Sequence, residues 1–215
     1  MLFFSGMISR LYTDDTQGRR HMAITSQKIE PHWNYLLAIE NDLTELSRYV
    51  DFDERNFGCF SIQIARVLLS ASAEIDVVCK QICRNIDSQS NANSIHKYRD
   101  KIVSAYPAVP QFQVVMPFFG LTLTPWDEWK NLQGIPFWWS AYNKIKHNRD
   151  TEYHQASLKN ALNAVAGLFI MVLYLYKDKA EQGDLHPSLQ LLRVDNSHYG
   201  GISVGGYGVA ISYKL

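Results

Sequence analysis

Residues 57–86 read FGCFSIQIARVLLSASAEIDVVCKQICRNI. Phe57, Phe60, Ile64, Val67, Leu68, Ala71, Ile75, Val78, Cys79, Ile82 and Ile86 recur at steps of three and four, the spacing that lines one face of an α-helix. The opposite side carries Gln63, Arg66, Ser70, Glu74 and Gln81. A helix of about eight turns with one apolar face must bury that face against other elements, so the stretch predicts a helical bundle.

Partner helices lie on both sides. PHWNYLLAIENDLTELSRYV, residues 31–50, sets Trp33, Leu36, Leu37, Leu43, Leu46 and Val50 at helical intervals, with Glu40 as a polar interruption. SIHKYRDKIVSAY, residues 94–106, reads as a shorter helix capped by Asn93 or Ser94 and stopped by Pro107 and Pro110. Pro136 opens a short aromatic helix, PFWWSAYNKIKHN, and residues 150–183 read as a long one, with Leu158, Leu162, Val165, Phe169, Val172 and Tyr176 on one face. Its apolar run, Ala164 to Tyr176, falls short of the ~20 residues of a bilayer span, which predicts a buried central helix and no membrane association.

Two segments depart from this period. QVVMPFFGLTLT, residues 113–124, is β-branched and aromatic with Pro and Gly interruptions, as short edge strands are. Thr124, Pro125 and Asp127 then mark a helix start, so PWDEWKN should form a turn or two. YGGISVGGYGVAISYKL, residues 199–215, alternates Tyr207, Val209, Ile211, Tyr213 and Leu215 beyond a two-glycine turn at Gly205 and Gly206, a β-hairpin pattern. These glycines lack the Lys and Ser or Thr of a phosphate loop. The expected fold is mainly α, a bundle of about four to six helices with a small C-terminal β-hairpin. Residues 1–30 form an irregular leader, 31–180 the bundle with a β-prone insert at 110–124, and 181–215 the hairpin extension packed upon it.

Lys plus Arg and Asp plus Glu each number 21, so no global charge draws the chain to nucleic acid or anionic membrane, and any such role must rest on a local patch. Cys59, Cys79 and Cys83 make no even-numbered framework and read as buried free thiols of a reducing compartment. MLFFSGMISR lacks the basic start and the long apolar core of a signal peptide. The expected location is the cytoplasm.

The densest polar stretch is YNKIKHNRDTEYH, residues 142–154. On one straight helix Asn143, His147, Asp150 and His154 would share a face, and a zinc or iron site could be drawn from His147, Asp150 and His154. Lys146 and Arg149 would crowd such a dication, and no further ligand is at hand, so no metal or other cofactor is expected. Asn148, Asp150 and Thr151 are good N-cap residues, while Lys146 and His147 suit a helix C-terminus, so the helix should break between His147 and Thr151.

Arg149, Asp150 and His154 spell R-D-x-x-x-H, which resembles the R-x(4 to 6)-H motif of the HEPN superfamily of helical-bundle proteins. In that family a bundle of four or more helices carries the motif near the start of a late helix, often at a dimer interface. Many members are metal-independent ribonucleases of toxin and phage-defence systems, and others bind nucleotides or RNA without catalysis. The resemblance implies RNA or a nucleotide as ligand, a homodimer, and an antitoxin-like protein partner. It implies His154 as general base toward the ribose 2′-hydroxyl, Arg149 as stabiliser of charge on the scissile phosphate, and Asp150 as orienter of Arg149. Asn143, Lys146 and His147 would then contact substrate.

Two structural readings compete on the same residues. Glu74 and Asp76 could pair with Lys146 or Arg149 and knit the bundle rim, making the strip part of a non-catalytic interaction module. Phe137, Trp138, Trp139 and Tyr142 could stack RNA bases or fill the core.

Overall fold

The computed structural model describes residues 8–14, 20–26, 30–205 and 208–215. In chain order the elements are β1 (Ile8–Asp14), β2 (Arg20–Ser26), α1 (Pro31–Leu46), α2 (Ile62–Ile86), α3 (Ile95–Ala105), β3 (Val114–Met116), β4 (Leu121–Leu123), α4 (Phe137–His147), α5 (Arg149–Glu152), α6 (Leu158–Leu175), α7 (Lys177–Gln182), β5 (Arg193–Val194), β6 (Tyr199–Gly205) and β7 (Gly208–Tyr213). The fold is mainly α with a C-terminal hairpin, as the periodicity implies.

Helix α6 is the axis. It is apolar all round, and every residue from Leu158 to Tyr174 except Lys159 is buried, which is the environment such a helix requires. Among the described residues it alone is long and apolar enough to cross a membrane, and 83% of that stretch is buried inside the protein. The apolar face of α2 packs along α6, α1 and α4 contact both helices, and α3 lies against α2. Gly167 lets the indoles close on α6: a β-carbon there would stand 3.2 Å from the Trp138 ring and 3.4 Å from that of Trp126. Trp138 Nε1 donates to Pro125 O at 2.7 Å and Trp126 Nε1 to Gly167 O at 3.3 Å, so neither buried indole is left unpaired. The aromatic cluster is therefore core, with Trp138, Trp139 and Tyr142 all buried.

Helix starts follow local chemistry in part. Ser61 caps α2 by accepting from Ile64 N at 3.2 Å, and Ser157 caps α6 by accepting from Asn160 N at 3.4 Å. Ser94 holds the cap position of α3 without a side-chain bond. Thr124 does not cap through its hydroxyl: its carbonyl accepts from Asp127 N at 3.2 Å, and PWDEWKN holds a 3-10 turn, Asp127–Lys130.

The structure differs from the expected long helix over 150–183, which is interrupted twice. Tyr153–Gln155 is a 3-10 turn and α6 begins only at Leu158. The cause is distant in sequence: the first amides of α6 are satisfied by the 57–59 loop, with Leu158 N donating to Cys59 O at 2.8 Å and Lys159 N to Phe57 O at 3.2 Å. A second break at Tyr176 separates α7.

The insert strands are also not all edge strands. β3 is central in a three-stranded antiparallel sheet of order β4-β3-β5, because Arg193 and Val194 return to pair with Val115 and Val114. The insert and the C-terminal extension thus share one sheet. β6 and β7 pair antiparallel with Ile202 opposite Ile211, and Ile211 and Tyr213 are buried, the latter edge-on to Phe169 at 6.0 Å. Gly206 of the expected two-glycine turn and Tyr207, expected to open the returning strand, lie outside the described residues. Within the segment expected to be an irregular leader, β1 and β2 pair antiparallel, Ile8 opposite Ser26 and Asp14 opposite Arg20.

Candidate functional site

The polar strip folds as a corner. Helix α4 ends at His147, placing Lys144, Lys146 and His147 in its last turn, where cations meet the negative end of the helix. Asn148 leaves helical geometry at φ −136°, ψ 49°, and α5 restarts at Arg149. The break therefore falls inside the expected window. Lys144 Nζ lies 3.8 Å from Glu152 Oε2 across the corner.

Arg149 and Asp150 are exposed and line a cleft of about 530 Å³ together with Tyr153 and with Ile62, Ala65, Arg66 and Leu69 of α2. The four α2 residues stand at i, i+3, i+4 and i+7 and share one face of that helix. Ile62 is 74% exposed, so the mouth of the cleft is apolar, while Tyr153 packs edge-on against Phe60 at 5.7 Å. The Tyr153 hydroxyl is buried with no hydrogen-bond partner among the described residues.

The other candidates stand around the cleft rather than in its lining. His154 is exposed in the 3-10 turn ahead of α6, with Nε2 2.9 Å from Gln155 Nε2. Lys146 is exposed, its ammonium 5.5 Å from the centre of the Tyr142 ring, and His147 is exposed beside it. Asn143 is half-buried and donates from Nδ2 to Trp139 O at 3.0 Å, one turn back in its own helix. Among the described residues no three His, Cys, Asp or Glu side chains gather as metal ligands, so the His147, Asp150, His154 set that a straight helix would align is dispersed by the corner.

The pairing of Glu74 or Asp76 with the strip is overturned. Glu74 Oε1 meets His32 Nδ1 at 2.6 Å, while Asp76 accepts from Tyr98 Oη at 2.7 Å and also pairs with Lys80. These carboxylates serve α1, α2 and α3. His32 is engaged on its other nitrogen too, with Nε2 2.7 Å from Gln81 Nε2.

Two features escaped the sequence reading. Arg66 belongs to the cleft, and its only legible signal was its place on the polar side of the α2 pattern. A second cleft of about 490 Å³ is lined by residues including Glu181, Ser197, His198 and Lys214. There His198 Nδ1 lies 2.8 Å from Asp195 Oδ1, and the Ser197 hydroxyl donates to Asp195 at 2.8 and 2.9 Å. Ser197 approaches the same ring nitrogen, at 3.0 Å, so the imidazole does not bridge hydroxyl and carboxylate through opposite nitrogens as a nucleophile relay requires. The ring stacks on Phe112 at 3.7 Å, and the cluster pins the turn before β6. No protein-family profile, no curated protein and no solved structure matches the chain.

Proposed function

We propose that the chain is a HEPN-like RNA-binding protein of the cytoplasm that acts in a defence or toxin setting and receives RNA at the corner between α4 and α6. The observation that carries this reading is the cleft: Arg149 and Asp150, the first two residues of the R-D-x-x-x-H motif, line it with no ion-pair partner among the described residues. A guanidinium at an apolar-walled cleft with no carboxylate within ion-pair distance among the described residues is a ready donor fork for phosphate. Lys144, Lys146 and His147 lie at the end of the preceding helix and add positive potential beside it.

Metal-independent cleavage is the activity this proposal assigns, with His154 as general base toward the 2′-hydroxyl and Arg149 on the phosphate. His154 is exposed but outside the cleft lining, so the proposed homodimer would bring the His154 of one copy to the cleft of the other. Incubating the wild type, Arg149→Ala and His154→Ala with mixed RNA in EDTA tests it. Cleavage by the wild type alone is expected, and equal cleavage by the three proteins rejects the assignment. The second reading, binding without cleavage, is favoured by the absence of His154 from the cleft lining and by its contact with Gln155. It predicts RNA binding that His154→Ala leaves intact, with no cleavage by any form.

A further inference from the structure

The cleft holds two guanidinium groups, and the motif accounts for only one. Arg66 stands on α2 among Ile62, Ala65 and Leu69, and lines the cleft together with Arg149 and Asp150. Among the described residues its one side-chain hydrogen bond runs from Nη1 to Gln63 Oε1, at 3.2 Å, on its own helix. Neither arginine has a carboxylate within ion-pair distance among the described residues, although Asp150 lines the same cleft. Two cations against one carboxylate leave the cleft net positive, and its apolar lining residues limit the screening of their field. Like charges converging from two separate elements repel each other in the empty protein, and an anion between them turns that cost into attraction.

We infer that Arg66 is a phosphate-binding residue of this site, completing with Arg149 a two-armed clasp on one phosphate of the RNA backbone. The inference rests on the RNA-binding reading above. It adds a residue outside the R-D-x-x-x-H motif and makes α2 part of the ligand site rather than only its support. Two forks carried by separate elements, α2 and α5, fix a phosphate in position as well as in charge, which a single exposed arginine cannot do.

The test is binding of a fluorescein-labelled, single-stranded 2′-O-methyl RNA, which resists cleavage, measured by anisotropy over a range of salt concentrations with the full chain. Each phosphate contact to a single strand contributes about 0.7 to the slope of log affinity against log salt. Arg66→Ala and Arg149→Ala should each weaken binding, and the double variant, which releases the one shared phosphate, should lower that slope by about 0.7, while Arg66→Lys should keep the slope and lose affinity through its lost fork. Arg66 is exposed, and circular dichroism of each variant verifies that the fold is kept. If Arg149→Ala weakens binding and Arg66→Ala behaves as wild type, or if the double variant loses about 1.4 of slope and so releases two phosphates, the clasp is wrong and the RNA-binding reading stands. If the wild type shows no salt-dependent binding, both fall together.

Discussion

The Glu40 carboxylate on α1 accepts a hydrogen bond from Leu191 N at 2.7 Å, and the neighbouring amides of Gln190 and Leu192 reach it at 2.8 and 3.1 Å. Glu40 is 4% exposed, so one buried carboxylate satisfies three consecutive amides of the segment leading into β5. Each amide left unpaired costs about 1–3 kcal/mol. Glu40→Ala should therefore destabilise the protein by on the order of 3 kcal/mol or more, a large share of the ~5–15 kcal/mol typical of a domain. Glu40→Gln, which keeps one acceptor oxygen, should lose less. Urea unfolding midpoints measure both, and an Ala variant within about 1 kcal/mol of wild type would contradict the role.

Tyr174 presents the opposite case. Its ring is buried between Tyr106 at 4.8 Å and Phe112 at 6.2 Å, and its hydroxyl has no partner among the described residues. Burial pushes its pKa up to about 12, with the nearby Tyr106 and Glu181 adding to the shift. Removing an unpaired buried hydroxyl while keeping the ring removes a desolvation cost of about 1–3 kcal/mol. Tyr174→Phe is expected to raise the melting temperature, and a lower one would mean that the hydroxyl has a bonding role.

The three cysteines should separate by reactivity. Cys59 is exposed, whereas Cys79 and Cys83 are buried. Burial raises the Cys79 thiol well above its usual range and pushes Cys83 up to about 11. Since the thiolate is the reactive form, a thiol reagent at about pH 8 should titrate one group quickly and two only as the protein opens. Cys59→Ser should abolish the fast phase. This corrects the expectation that all three thiols are buried, which held for the two on the apolar face of α2.

What the sequence disclosed divides by range. The faces of α2 and α6 were legible because burial over many turns imposes a period, and the break at Asn148 because cap residues act locally. Glu40 stood out as a polar interruption, yet the amides that answer it are 150 residues away. The break ahead of Ser157 was hidden for the same reason: the carbonyls that start α6 belong to Phe57 and Cys59. β5 has two residues, too few to show alternation. At the site, Arg149 and Asp150 were visible as a motif, whereas Arg66 read as ordinary helix polarity until the corner was seen to face it.

Two carboxylates should give the protein opposite responses to pH. Glu128 follows the 3-10 start at Asp127, with Oε2 buried and unpaired among the described residues. Burial raises its pKa above 4.5, helped by Asp127 and opposed by main-chain amides and Lys159. The folded chain then holds more protons than the unfolded one from about pH 4.5 up to the raised value, so stability falls as pH rises through that window. Glu128→Gln should raise the melting temperature at pH 7 and bring no gain at about pH 4. Asp195 is the reverse: burial acts to raise its pKa, but hydrogen bonds from His198 and Ser197 outweigh it and hold the group below 3.8. Its contribution is present above that value and is lost as pH falls through the lowered one. Asp195→Asn should cost stability at pH 7 by about 1–3 kcal/mol, the range of a charge-assisted hydrogen bond, and the difference should close as the solution is acidified. Melting temperatures of the wild type and both variants across pH would show the two differences diverging at neutral pH and shrinking together in acid; parallel curves would refute the assignment of either carboxylate.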